Sequence, residues 1–159
     1  SAYKVACVKK LIEINSGGSR LDRVTAGLVL FSVNPATRHL YHNLFETRQI
    51  DKTYHAIAGQ KENTFIKIAE KEWEVKNRIV KSDPRFLMKT AEGEANSHSI
   101  IRCLKYSKNK ALFELTPITG KTHQLRLHMQ TLGWPILNDK YYPILQESRL
   151  MIIPGPYSY

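Results

Sequence analysis

The sequence predicts an α+β fold: a mixed, mainly antiparallel β-sheet with flanking helices. Strand and helix patterns are intermixed along the chain, and residues 95–106 and 110–118 are two strand-like runs joined by a short polar loop, as in a β-hairpin. The 159 residues contain no internal repeat and no Gly/Ser-rich or Pro-rich linker. We therefore expect a single domain over residues 1–159.

The first sixty residues contain strand patterns and one helix pattern. Residues 4–14 form an extended segment, and the almost continuously apolar run 28–33 predicts a central strand covered on both faces. Asn34, which precedes a proline, is typical of a helix N-cap, and apolar residues follow at helical spacing to about Thr47. Residues 52–59, which end in glycine, predict the next strand.

The second half ends in a predicted helix. The stretch 60–93 is charged and weakly periodic, and it predicts only a turn at residues 82–84. After the hairpin, a helix is predicted from residues 119–120 to about Leu132, with Gly133 ending it. Two stripes run along this helix. The apolar stripe, which we expect in the core, consists of Leu125, Met129 and Leu132. The polar stripe, which we expect to face a cleft, consists of His123, Arg126 and Gln130.

Charge and composition indicate which partners, cellular location and metal sites to expect for this protein. The net charge of +10 favours a polyanionic partner such as nucleic acid, although many basic proteins bind nothing in particular. Cys7 and Cys103 lie in no disulfide or zinc motif, so a reducing, cytoplasmic location is expected. No apolar run is long enough to span a membrane. His39 and His42 have a metal-compatible spacing without a matching third ligand, so no metal site is predicted.

Two charged residues are candidates for chemistry. Asp22 lies in a loop before an apolar strand, between Arg20 and Arg23, whose charges favour the ionised carboxylate. An ionised carboxylate can act as a nucleophile. The alternative for Asp22 is an ordinary ion pair on the protein surface. Arg126 stands with His123 on one helix face, and its alternative is a solvated surface.

Four blocks in this sequence resemble motifs of the RluA-type pseudouridine synthases. Residues 20–28 (RLDRVTAGL) resemble the HRLDRxTSGL motif, and residues 52–54 (KTY) resemble the K-x-Y block. Residues 117–128 (PITGKTHQLRLH) resemble P-x-T-G-R-x-H-Q-[IL]-R-x-H, and residues 132–142 resemble LGxPIxGDxxY. The departures from these motifs include Ser19 for histidine, Ala26 for serine and Asn138 for glycine.

The resemblance implies that uridine in structured RNA is isomerised to pseudouridine without metal or cofactor. It implies Asp22 as the catalytic carboxylate, attacking either the sugar carbon or the base, Arg126 as its partner, and Tyr54 stacking on the uracil. The target base would be flipped out of its helix. Candidate RNA contacts are Arg20, Arg23, Lys121 and His123.

The resemblance also sets expectations about the whole molecule. Family members have a further strand before the aspartate motif that this N-terminus does not resemble, so we expect a catalytic core incomplete at its N-terminus, acting as a monomer on ribosomal or transfer RNA. Two alternatives stay open. One is a non-catalytic RNA-binding module of this fold, and the other is a basic scaffold without salt-dependent RNA affinity. The joint presence of Asp22, Tyr54 and Arg126 favours the enzyme.

Overall fold

A computed structural model of the chain forms two compact units, residues 1–51 and residues 52–159. The single domain expected over residues 1–159 stays a prediction. The structure describes residues 6–8, 22, 25–29, 34–59, 71–107 and 109–145.

In the first unit, strand β1 (Ala6–Val8) pairs antiparallel with strand β2 (Gly27–Val29). β1 lies within the predicted extended segment 4–14, and β2 overlaps the start of the predicted strand 28–33. The prediction of a strand covered on both faces is wrong at Leu28, whose side chain is 65% exposed. An apolar run shows what a strand could bury, but it does not show that a neighbouring element covers it. Residues 30–33 of that run lie outside the described residues.

The predicted helix of the first unit is confirmed. A 3-10 turn (Pro35–Thr37) leads directly into helix α1 (Arg38–Glu46). The Asn34 side chain caps the turn, because its Oδ1 accepts a hydrogen bond of 3.0 Å from the backbone N–H of Ala36. None of the nine residues of α1 is buried. No described helix is long and apolar enough to cross a membrane.

The second unit is built on one antiparallel sheet, which confirms the predicted fold class. In the described part of this unit, five strands lie in the order β3-β7-β6-β4-β5, and every neighbouring pair is antiparallel. The strands are β3 (Tyr54–Gly59), β4 (Glu72–Lys81), β5 (Met88–Ala91), β6 (Ser97–Tyr106) and β7 (Lys110–Pro117). The predicted hairpin is β6–β7, closed by a 2.7 Å hydrogen bond from Ser107 N–H to Lys110 O.

Strands β4 and β5 fall in the stretch for which the sequence predicts only a turn, and they lie on either side of that turn at 82–84. The sequence signal for β4 is its alternation, since Trp73, Val75 and Ile79 face the core while charged residues stand between them. Asn77 interrupts the apolar set at the one inward position that carries a polar contact instead. Because a polar residue occupies one of the core-facing positions, the alternation of this ten-residue strand is difficult to recognise in the sequence.

The strand register defines two ends of this sheet. Tyr54 pairs with Leu115, and Ser99 pairs with Pro117. The starts of β3 and β6 and the ends of β4 and β7 consequently lie at one end, here called the Tyr54 end. The β6–β7 turn lies at the opposite end.

Helix α2 (Gln124–Thr131) packs on one face of the sheet. It starts later than predicted because His123 has a left-handed backbone, with φ of 55°, that a continuing helix does not allow. Its predicted stop is confirmed. Gly133 has φ of 82°, and its N–H bonds Gln130 O while the N–H of Trp134 bonds Met129 O, which is a Schellman motif.

The core lies between α2 and the sheet. Met129 is fully buried, and Leu125 and Leu132 are partly buried against the same cluster, so the predicted apolar stripe is confirmed as core. The Schellman turn delivers Trp134 onto the sheet, where its ring stacks on Phe113 with 5.3 Å between centroids. Because Leu125 is only partly buried, truncating it should cost less than truncating Met129.

Candidate active site

The loop before α2 is fixed by side chains of its own motif. Thr119 Oγ1 accepts from the backbone N–H of His98 at 2.8 Å and donates to Gln124 Oε1 at 2.7 Å. The Gln124 Nε2 donates to His98 O at 2.9 Å and to Ser99 Oγ at 2.8 Å. Its Oε1 also accepts the backbone N–H of Lys121 at 3.0 Å. The loop and the first turn of α2 are thus bonded to the start of β6.

Farther along α2, His128 is a buried structural contact to the sheet. Its Nε2 lies 3.1 Å from Ser97 Oγ and 3.0 Å from Asn77 Oδ1. Burial, with a smaller contribution from the charge of His98, lowers the pKa of His128 to about 4. The imidazole is therefore neutral at physiological pH, and it links α2 to β4 and β6.

Arg126 is held by Asp139, a residue that the sequence analysis did not single out. Nε donates to Oδ2 at 2.7 Å and Nη2 donates to Oδ1, so the pair is bidentate, and both residues are 9% exposed. Oδ1 also accepts the backbone N–H groups of Tyr141 at 2.9 Å and Tyr142 at 3.3 Å. Burial acts to raise the pKa of Asp139, but these hydrogen bonds and the charge of Arg126 outweigh it, so the pKa is lowered.

Two tyrosine rings complete the setting of Arg126. The guanidinium carbon lies 4.7 Å from the Tyr141 ring centroid and 5.0 Å from that of Tyr142. The Tyr142 hydroxyl accepts from the Met88 N–H at 2.9 Å, and His123 Nδ1 lies 2.8 Å from it. These contacts fasten α2, the loop after Trp134 and the start of β5 together, so the guanidinium has little freedom to rotate.

The backbone beside Asp139 explains one departure from the family motif. Asn138, which stands where the motif has glycine, has φ of 63°. Glycine adopts this left-handed conformation without steric cost, and asparagine tolerates it better than most other residues. The turn that presents Asp139 to Arg126 is therefore kept despite the substitution.

The other predicted site residues of the second unit lie at the Tyr54 end. Tyr54 is half-buried at the start of β3, on the same face as Ala56 and Ala58, and thus on the face that α2 covers. Lys121 is exposed in the loop before α2. His123 is half-buried outside the helix, so the prediction that it shares a helical stripe with Arg126 is wrong, because its backbone is left-handed.

Asp22 is described within the first unit. It is half-buried, and its carbonyl accepts the backbone N–H of Thr25 at 2.8 Å in a turn before β2. Arg20 and Arg23, the predicted RNA contacts on either side, lie outside the described residues. Among described residues, no group of three or more His, Cys, Asp or Glu side chains could hold a metal ion.

The sequence contains a signal for Asp139. Glu114, Asp139 and Glu147 are the three carboxylates after residue 110, and Asp139 follows the turn residue Asn138 inside one of the four motif blocks. A buried arginine on α2 needs a carboxylate partner, and few candidates exist. No comparable sequence signal marks the Tyr142 hydroxyl as the link between His123 and β5.

Comparison with known proteins decides the family. Residues 19–131 match the family model described as RNA pseudouridylate synthase. The chain belongs to this family. Within it, the chain is 36% identical over 141 residues to ribosomal large subunit pseudouridine synthase C of Rickettsia conorii, covering 84% of this chain and 45% of the relative. It is 35% identical over 127 residues to the dual-specificity RNA pseudouridine synthase RluA of Haemophilus influenzae, covering 77% and 55%.

Solved structures of pseudouridylate synthases share this fold. Human RNA pseudouridylate synthase domain containing 4 superposes with a TM-score of 0.61 at 29% identity, covering 78% of this chain and 50% of that one. Human RNA pseudouridylate synthase domain containing 1 superposes with a TM-score of 0.65 at 23% identity, which shows the fold alone. The chain spans about half the length of the curated relatives it matches. The chain is an RluA-type member of this family.

Proposed function

We propose that this chain carries the catalytic part of an enzyme that isomerises uridine to pseudouridine in RNA. The observation that carries the proposal is the family match over residues 19–131, which includes Asp22, Tyr54 and Arg126. Because one relative is named for the large ribosomal subunit and another as dual-specificity, we propose ribosomal or transfer RNA as the substrate. The net charge of +10 supports an RNA partner.

The free thiol of Cys103 favours a cytoplasmic location, and we expect a monomer.

The proposed reaction is an isomerisation within one nucleotide. The bond from ribose C1′ to N1 of uracil breaks, C1′ bonds to C5 of the same base, and the C5 proton leaves while N1 gains one. Asp22 would act as the nucleophile, at C1′ or at the base. No second substrate is consumed, so the chain's own side chains need only bind the nucleotide, orient it and move one proton.

Arg126 would orient Asp22. Its Nε and Nη2 face Asp139, so the third nitrogen, Nη1, points away from that carboxylate. A guanidinium fixed in this way can interact with a second anion without first changing its orientation. Preorganised charged groups favour a reaction because they need no such reorganisation. We propose that Asp22 is this second anion and that Arg126 orients it.

Tyr54 and the basic residues would bind the flipped nucleotide. Tyr54 lies at the start of β3, where its ring would stack on uracil. Arg20, Arg23 and Lys121 would contact phosphates, which offsets the cost of extruding the base. We propose that His123, which lies in the loop before α2, contacts the RNA as well.

The test uses RNA transcribed with tritium at C5 of uridine, because pseudouridine formation releases that tritium to water. The chain, Asp22→Asn and the matched control Asp51→Asn are compared, since Asp51 is an exposed aspartate of the same unit. A carbodiimide adduct that stops reverse transcription then maps each pseudouridine. We expect release and new stops with the chain and with Asp51→Asn, and neither with Asp22→Asn. Salt-dependent RNA binding without release by the chain would favour a binding-only module.

A further inference from the structure

The turn between β4 and β5 carries an exposed aromatic ring among basic residues. This hairpin tip, residues 81–89, contains Phe86, which is 53% exposed. The exposed cations of the tip are Lys81, Arg85 and Lys89, against one carboxylate, Asp83. A single exposed phenylalanine is ordinary on a protein surface. Its surroundings distinguish this one.

The hairpin tip is in contact with the residues that hold Arg126. The Phe86 ring lies 5.6 Å from the Tyr141 ring, and the Tyr141 ring lies 4.7 Å from the Arg126 guanidinium. The tip also follows the end of β4, which places it at the Tyr54 end of the sheet. The exposed Phe86 ring therefore contacts Tyr141, which itself contacts Arg126 of the candidate active site.

A cavity of about 500 Å³ lies beneath the hairpin tip. Its walls come from the tip and β5, from the outer side of α2 and from residues 141–145, and they include Leu87, Leu127 and Tyr141. Polar side chains, among them Ser82, Thr90 and Gln130, also line it. The cavity walls thus combine apolar and aromatic side chains with polar ones, which suits a flat ring with polar edges.

We propose that the hairpin tip and this cavity bind an unstacked base of single-stranded RNA beside the target uridine. Phe86 stacks on the base or its neighbour, and Lys81 and Lys89 contact flanking phosphates. The inference rests on the proposed function, since it takes RNA as the substrate. Charge complementarity identifies the occupant, because the cations of the tip outnumber its carboxylate and every base has a face for stacking.

The opposite end of the sheet offers a matched control. The β6–β7 turn there carries Tyr106, 43% exposed, with the exposed cations Lys105 and Lys110. It thus presents an exposed aromatic ring beside cations, as the hairpin tip does, but it lies at the opposite end of the sheet from Tyr141. The probe is a fluorescein-labelled oligouridylate, and Kd is measured by anisotropy at fixed salt with thermal melting of each variant.

We expect Phe86→Ala and Phe86→Leu to weaken binding of the probe by about 5- to 150-fold, because both lose the aromatic face. Phe86→Tyr should bind as the unchanged chain does, and so should Tyr106→Ala. Phe86 is mostly exposed, so none of its variants should alter the melting temperature appreciably. Equal Kd for Phe86→Leu and the unchanged chain, or equal loss in Tyr106→Ala, overturns the proposal.

Salt dependence tests the phosphate contacts. Lys89→Ala should reduce the slope of log K against log salt by roughly 0.7, the value for one phosphate contact on a single strand. Lys105→Ala should leave the slope unchanged, and an equal change in both variants overturns the assignment of the tip. If the chain binds RNA through Phe86 but releases no tritium, the catalytic proposal fails and this inference stands. If it releases tritium and Phe86→Ala binds and reacts normally, this inference fails and the catalytic proposal stands.

Discussion

The two helices of this chain look similar in sequence and behave differently in the structure. Helix α1 carries Leu40, Leu44 and Phe45 at helical spacing, yet none of its nine residues is buried. Helix α2 has a comparable apolar stripe, and five of its eight residues are buried. Three of those five are polar, namely Gln124, Arg126 and His128.

The difference shows that polar contacts set the position of α2. Gln124 bonds the start of β6, His128 lies between β4 and β6, and Arg126 is paired with Asp139. Buried polar groups are costly unless satisfied, so they specify one arrangement of the helix more strictly than apolar contacts do. No residue of α1 is buried, so α1 has no buried polar side chain that could fix its position in the same way.

The largest stability difference between the helices is expected from apolar truncation. Met129→Ala should lower the free energy of unfolding by about 2–5 kcal/mol, because Met129 is fully buried and its loss leaves a cavity. Leu40→Ala on α1 should change it by less than about 0.5 kcal/mol, because Leu40 is 55% exposed. Urea unfolding followed by circular dichroism measures both. Equal losses would remove the distinction between the two helices.

A smaller effect is expected from the titration of His128. Its pKa is about 4 in the folded chain, against 6.5 for a histidine fully exposed to water, so the unfolded chain binds the proton more tightly. The contribution to stability is fully present above about pH 6.5 and is lost as the pH falls towards 4, to a total of about 3 kcal/mol. Urea unfolding at a series of pH values measures it.

His128→Gln isolates this effect from other groups that titrate in acid. Glutamine can still bond Ser97 and Asn77 but has no proton to gain, so the variant should lose less stability than the unchanged chain between neutral pH and pH 4. His55→Gln is the control, because the His55 side chain is 58% exposed. If His128→Gln and the unchanged chain showed parallel pH profiles, His128 would not be the buried titrating group.

Much of the fold is predictable from periodicity and turn chemistry. Asn34 before a proline predicts the helix start, Gly133 predicts the helix end, and two alternating runs predict the β6–β7 hairpin. The failures arise where a single residue overrides the pattern. Asn77 stands on the buried face of β4, and the left-handed backbone of His123 delays α2. The spacing of apolar residues reveals neither the left-handed backbone of His123 nor the hydrogen-bond partners of Asn77.

The sequence predicts those site residues whose side-chain type is itself needed for the chemistry. It does not predict which other residues hold those side chains in place. The motif blocks predict Asp22, Tyr54 and Arg126 as site residues, and their joint action stays a prediction. The pairing of Arg126 with Asp139 depends on a turn at Asn138 that only the backbone reveals. Likewise, the contacts of the Tyr142 hydroxyl join segments far apart in sequence, which no local pattern encodes.

The central claim is that Arg126, positioned by Asp139, works in a pseudouridine-forming site, and a double-mutant cycle on kcat for tritium release tests it. Asp139→Asn should lower kcat by about 10²-fold, since a guanidinium displaced by about 1 Å misorients its partner. Arg126→Lys should lower kcat at least as much, and the double variant should be no slower than Arg126→Lys alone, because the two residues act as one unit. Kinetics would be run where melting shows all four chains folded. Effects that multiply in the double variant, or an unchanged kcat in Asp139→Asn, would contradict the account.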